Sequence, residues 1–147
     1  MFLDLTDLSD EPLHQQISRQ VRAKILAGGL SDGDGLPSIR GMARECRVSV
    51  ITVQRAYDDL EREGLIQARR GKGFFVRTLA DRDKQALARR RFHEALEPVV
   101  SEGRAEGLDD AEMDEIFGRL VSRLSDPTDR SASTAESVLD GEGDMER

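Results

Sequence analysis

Ser38-Ile39-Arg40-Gly41-Met42-Ala43-Arg44-Glu45-Cys46-Arg47-Val48-Ser49-Val50-Ile51-Thr52-Val53-Gln54-Arg55-Ala56-Tyr57 carries two helical periods almost back to back. Ser38 can cap a helix whose apolar positions Ile39, Met42, Ala43 and Cys46 fall at steps of 3, 4 and 7, one helical face. Ser49 is the natural N-cap of the next helix. Val48 before it and Val53 at the fourth helical position form a hydrophobic staple. Val53, Ala56, Tyr57 and Leu60 share a second inward stripe, and Gly64 closes the helix. Only Arg47-Val48 separates Cys46 from Ser49, so the two helices are predicted to form a helix-turn-helix.

Upstream, Asp10-Glu11-Pro12 supplies a capping residue and an early proline. Leu13, Ile17, Val21 and Ile25 follow at i+4 spacing, and Gly28-Gly29 ends this first helix. Ser31-Asp32-Gly33-Asp34-Gly35 reads as turn. Downstream, Leu65–Ala68 and Phe74–Val76 are short apolar runs joined by Arg69-Arg70-Gly71-Lys72-Gly73, the pattern of a β-hairpin with a glycine-rich basic tip. The fold class is therefore mainly α with a small β-hairpin wing, in the order of a winged helix-turn-helix.

Beyond Leu79 the chain turns helical again. Ala88, Phe92, Ala95, Leu96 and Val99 form one stripe, and Pro98 is expected to kink the helix or end a segment of it. Asp109 and Glu112 have capping-box spacing, after which Met113, Ile116, Phe117, Leu120, Val121 and Leu124 make a second stripe. The second stripe is too apolar to leave wet and is expected to fold against the first, a partner subunit, or both; the plain alternative, a helical hairpin within a monomer, is disfavoured because two helices alone bury little. The dimerisation residues are then Phe92, Leu96, Val99, Met113, Ile116, Phe117, Leu120, Val121 and Leu124. From Asp126 on, 7 acidic and 2 basic residues among Ser, Thr and Gly read as a disordered acidic tail, which would compete with DNA for the wing. The expected domains are 1–79, the winged helix-turn-helix; 80–125, the C-terminal two-helix dimerisation region; and 126–147, the tail.

The net charge of −7 is unevenly spread. Residues 1–79 hold 12 basic and 11 acidic side chains, residues 80–147 hold 10 and 18, and within 38–77 the bases lead 9 to 5. Where charge sits matters more than the overall balance. One Cys excludes a disulfide framework and a Cys-based zinc site and suits a reducing cytoplasm. No apolar run has the roughly 20 residues of a membrane span, and Asp4 stands where a signal peptide carries base. The expected setting is cytoplasmic, with no membrane partner.

Chemistry-bearing residues cluster accordingly. With the inward stripe removed, the second helix of the motif presents Ser49, Val50, Ile51, Thr52, Gln54, Arg55, Asp58 and Asp59. In such motifs this helix enters the major groove and its N-terminal residues reach base edges. Thr52 and Gln54 are hydrogen-bonding readers; Ser49 and Arg55 suit phosphate. Val50 and Ile51 could pack on thymine methyl groups, or Ile51 could instead pack against the preceding helix. Arg40 could grip phosphate or guanine, or pair with Asp34 or Glu45. Ser38 is first a cap. Arg44 faces phosphate or solvent. Arg70, Gly71, Lys72 and Gly73 form a wing tip able to approach a sugar–phosphate backbone, the plain alternative being an ordinary charged turn. His14 and His93 have no metal or triad spacing, Cys46 lies on an inward face, and no cofactor is implied.

Pro12-Leu13-His14-Gln15-Gln16-Ile17, Leu36-Pro37-Ser38-Ile39-Arg40, Val48 to Tyr57, Leu60-Glu61-Arg62-Glu63-Gly64-Leu65-Ile66 and Gly71-Lys72-Gly73-Phe74-Phe75-Val76 together resemble the GntR family of bacterial transcription regulators, from about Leu5 to Arg77. With only about 70 residues after the wing, the chain is similar to the short YtrA-type branch, whose C-terminal helices dimerise. The resemblance implies DNA contacts at Arg40, Ser49, Thr52, Gln54, Arg70 and Gly71. It places Val50 and Ile51 where other branches often have polar or basic residues. It also implies repression of a neighbouring operon, often one for a transporter.

The favoured expectation is thus a homodimeric, sequence-specific regulator on a palindromic operator in double-stranded DNA, and not an enzyme. The alternative is a winged-helix protein-interaction module without specific DNA binding. For a small-molecule effector of unknown identity the only room expected lies between the C-terminal helices and the winged domains, and no convergent polar cluster marks a pocket.

Overall fold

The computed structural model describes residues 1–125; the segment read as an acidic tail lies outside the described residues. The elements are α1 (Leu13–Leu26), α2 (Ile39–Cys46), α3 (Val50–Arg62), β1 (Ile66–Arg69), β2 (Gly73–Val76), α4 (Asp81–Ala105) and α5 (Asp110–Ser125). The chain divides into two compact units between Arg91 and Phe92, inside α4.

The first unit is a winged helix-turn-helix built around the apolar stripes. Ile17, Val21 and Ile25 of α1, Met42 of α2, and Val53, Ala56, Tyr57 and Leu60 of α3 are fully buried, with Leu65, Ile66 and Val76 of the hairpin closing the core. Ile39, Cys46 and Val48 are half-buried against it. Tyr57 sets its ring edge-on to Phe74 at 4.9 Å and donates its hydroxyl to the Pro37 carbonyl at 2.7 Å. The loop leading into α2, α3 itself and the wing are thereby tied to one side chain.

Polar groups secure what the apolar stripes leave open. Buried Gln16 donates to the carbonyls of Thr6 (2.9 Å) and Glu11 (2.8 Å) and accepts from Thr6 N–H. That bracket holds residues 1–6, whose Met1, Leu3 and Leu5 alternate onto the core. Arg22 of α1 meets Glu63, at the end of α3, through two hydrogen bonds of 2.7 and 2.6 Å; Arg91 of α4 lies 3.7 Å from the same carboxylate. Lys84 of α4 pairs with Asp32 at 3.2 Å. Leu79 and Leu87 also pack on this core, so the beginning of α4 belongs to the first unit, later than a boundary drawn after Leu79.

Three local expectations are revised. The cap of α1 is Pro12, not Asp10: its backbone is extended (φ −56°, ψ 145°) and no side chain caps the helix. A ring that fixes φ and lacks an N–H suits that position, and Asp10 lies too far back to reach it. The glycine-rich turn also has a structural role. Gly35 bridges Phe75, and backbone bonds of 2.9 Å run from Gly33 N–H to Val76, from Val76 N–H to Asp34 and from Leu36 N–H to Phe74. The segment lines the free edge of β2, antiparallel to it, opposite β1, by backbone pairing that needs no side-chain pattern. Finally, α4 runs through Pro98 without ending. Proline removes one hydrogen bond there, and on this exposed stretch water can take the carbonyl it leaves.

The second unit pairs the rest of α4 with α5. Asp109 and Glu112 cap α5 reciprocally, at 2.9 and 2.8 Å, and Arg104 pairs with Asp110 at 2.8 Å. Gly103 passes close to Met113, where a Cβ would sit 3.2 Å from the Met113 sulfur, so a larger residue would require that side chain to shift. Phe92 and Phe117 face each other at 6.4 Å. Little else is covered: Phe92, Val99, Ile116, Phe117, Leu120, Val121 and Leu124 are exposed, and Leu96 and Met113 are half-buried.

Candidate nucleic-acid interface

Two serines start the two helices of the motif. Ser38 Oγ accepts from Gly41 N–H at 3.0 Å, and Ser49 Oγ accepts from Thr52 N–H at 3.1 Å. Gly41 makes the first cap fit, since a Cβ there would lie 3.0 Å from the Ser38 hydroxyl. Between the helices Arg47 takes the left-handed conformation (φ 57°, ψ 44°), and Val48 N–H reaches back to the Ala43 carbonyl at 3.0 Å. A two-residue turn requires that backbone reversal. It leaves Arg47 exposed.

The first turn of α3 is unusual in what it exposes. Val50 and Ile51 are 45% and 65% exposed, so Ile51 is not packed away against α2. The Ser49 and Thr52 hydroxyls bond each other at 2.7 Å, in addition to the cap. Gln54 and Arg55 are exposed one turn further on. Thr52, expected as a free reader of bases, has its hydroxyl engaged within the helix.

The charges sort by location. Among the described residues, Arg40, Arg44, Arg47, Arg55, Arg69, Arg70, Lys72 and Arg77 make no ion pair, whereas Arg19, Arg22, Arg62, Lys84, Arg91, Arg104 and Arg119 do. Apart from Arg62, at the far end of α3, this unpaired set is the whole basic complement of α2, the turn, α3 and the wing; outside it Lys24 and Arg89 also make no ion pair. The expected alternative for Arg40 is not made. Asp34 accepts from Ser31 N–H at 2.8 Å, and Glu45 takes the Met1 amino group at 3.0 Å. Arg47 had escaped sequence reasoning, because a turn residue between helices carries no periodicity; the basic count within 38–77 was its only signal.

At the wing tip Gly71 and Gly73 have φ of +72° and +97°, with open space where a Cβ would stand. Lys72 N–H closes the turn on the Arg69 carbonyl at 2.9 Å, and the Arg69 guanidinium stacks 4.5 Å over the Phe75 ring. Arg70 and Lys72 remain exposed at the end of a stiffened ribbon. Cys46 does not add chemistry here. Its thiol donates to the Met42 sulfur at 3.4 Å, and burial, reinforced by the Glu45 charge, pushes its pKa up, away from the reactive thiolate.

Two helices in tight succession, a wing and an unpaired basic surface define a DNA-binding transcription regulator, because free cations on an exposed face are what a phosphate backbone recruits. The profile of "Bacterial regulatory proteins, gntR family" matches residues 13–76. The chain is 37% identical over 108 residues to the uncharacterized HTH-type transcriptional regulator YhcF of Bacillus subtilis (strain 168), covering 71% of this chain and 86% of that one. It is 40% identical over 68 residues to the HTH-type transcriptional repressor YtrA of the same organism, covering 46% of this chain and about half (52%) of that one. A solved GntR family transcriptional regulator from Listeria monocytogenes superposes with a TM-score of 0.66 at 26% identity, over 78% of this chain and 98% of the other. The chain belongs to the GntR family of bacterial transcription regulators, with a YtrA repressor among its relatives. It is a regulator and not an enzyme.

Proposed function

We propose that the protein is a homodimeric repressor that binds a palindromic operator in the cytoplasm. In this reading α3 lies in the major groove, with Arg40 on guanine or phosphate, Arg44, Ser49 and Arg55 on the flanking phosphates, and the tip Arg70-Gly71-Lys72-Gly73 on the adjoining backbone. The observation that carries it is the sorting of cations: those of α2, the turn and the wing lack carboxylate partners, and those elsewhere are mostly paired. Ion pairs on a protein's own surface would have to be broken before phosphates could be neutralised; none of these need be.

Dimerisation rests on the apolar stripe from Phe92 to Leu124, which a monomer leaves wet. A two-fold axis would set half-sites about one helical turn, roughly 34 Å, apart. Similarity to the HTH-type transcriptional repressor YtrA supports repression as the mode of action, and a neighbouring transporter operon is the target that resemblance implies. Among the described residues no helix is long and apolar enough to cross a membrane.

Selection from a random-sequence duplex pool tests the reading. Enrichment of a palindrome by the wild type, lost with Arg40→Ala, is the expected result. No enrichment at any salt concentration would overturn it.

A further inference from the structure

We propose that Val50 and Ile51 determine operator sequence by packing on thymine C5-methyl groups, so that each half-site is read in part as an apolar pattern. This rests on the proposed binding of α3 in the major groove.

The first turn of α3 offers few groups able to read a base. Residues at the N-terminal end of a recognition helix are those that reach base edges. Ser49 spends its oxygen accepting the Thr52 N–H, and the two hydroxyls bond each other at 2.7 Å. Of their two O–H donors one is consumed in that bond, so together they offer one free proton, in a place suited to a phosphate oxygen. The remaining two residues of the turn are apolar, β-branched and exposed, at 45% and 65%. Neither is needed by the fold, for the inward stripe of α3 begins at Val53. The cations nearby in sequence, Arg44, Arg47 and Arg55, are unpaired.

Exposed aliphatic side chains in a basic surround are ill matched to water, and ill matched to a phosphate. Within the major groove one apolar feature exists, the thymine methyl. β-Branched side chains suit that contact because their χ1 freedom is already restricted in a helix, so little is lost on docking. Gln54, one turn further on and exposed, is left as the hydrogen-bonding reader, with adenine its natural partner. Val50, Ile51 and Gln54 together then describe a half-site rich in A·T pairs.

Deoxyuridine isolates the methyl group, since it keeps every hydrogen-bonding group of thymine. The experiment takes the operator selected by the wild type and replaces thymines one at a time, symmetrically in both half-sites, measuring affinity by fluorescence anisotropy. At one or two positions per half-site binding should weaken about fourfold per methyl, the loss expected for one buried methyl group, or roughly sixteenfold for the symmetric pair. Ile51→Ala or Val50→Ala should bind the thymine operator more weakly and be indifferent to the replacement. Both positions are exposed, and alanine favours the helix. Equal binding of thymine and deoxyuridine operators by the wild type, or a penalty that persists in both alanine variants, overturns this inference and leaves the proposed regulator intact. Failure to select any operator overturns both.

Discussion

Removing the wing's charge offers a measurement whose size can be worked out beforehand. Arg70 and Lys72 are exposed, unpaired and held at the tip of a hairpin whose turn is closed by Lys72 N–H on Arg69. Replacing both with Ala alters no ion pair within the protein, so fold stability should be unchanged. If each side chain neutralises one phosphate, a dimer loses four contacts, and the slope of log affinity against log salt becomes less steep by about 3.6, at roughly 0.9 per phosphate. Between about 50 and 200 mM salt that slope change amounts to some 150-fold: the wild type should weaken that much more than the variant. Anisotropy titrations of the selected operator across that range read the slope directly. A change near 1.8 would mean that a single wing engages each duplex, refuting the two-fold arrangement. Parallel lines for variant and wild type would refute the assignment of the wing to the backbone, however similar the sequence is to known regulators.

Glu63→Gln should destabilise the first unit by about 2–3 kcal/mol, below the usual cost of orphaning a buried charge because the carboxylate is 24% exposed. At about 4–8 °C per kcal/mol the melting temperature should fall by roughly 10–20 °C, and Arg22→Met/Glu63→Leu should regain much of it. A loss under about 1 kcal/mol would show that the 2.6–2.7 Å pair contributes little. Tyr57→Phe should cost about 1 kcal/mol at neutral pH through the lost bond to Pro37. Burial above all, with the negative charges of ionised Cys46 and Glu45 adding to it, raises the Tyr57 pKa, so the fold favours the protonated phenol. That preference is fully present below the ordinary phenol value near 10 and is lost as pH climbs above it, so urea midpoints should fall as pH rises from about 10 upward in the wild type, and less in the variant. Val121→Glu, at a position already half exposed, should turn dimers into monomers in sedimentation velocity without altering helix content; a wild-type monomer would refute the proposed dimer.

Much of the first unit was legible because its signals are local. Ser38 and Ser49 cap, Val53, Ala56, Tyr57 and Leu60 recur at the helical period, and Gly71 and Gly73 permit a turn; each depends on residues a few positions apart. The reading failed where backbone pairs with backbone at a distance. Ser31–Gly35 has turn composition, and nothing in its side chains announces that its backbone edges β2. The Asp10 cap failed for a subtler reason, since proline can occupy the cap position without any side-chain acceptor.

For the interface the division is similar. Periodicity and composition were enough to show which face of α3 points outward, where the bases concentrate and that glycines leave the wing tip uncluttered. Only the tertiary structure decided which of those groups are free. Whether Arg40 pairs with Asp34 or Glu45, whether Ile51 is covered by α2, and whether Thr52 keeps its hydroxyl depend on distances between atoms that folding brings together or holds apart. Hydrogen bonds and ion pairs are made in three dimensions at about 3 Å, and a linear pattern that fixes a face does not fix who meets whom upon it.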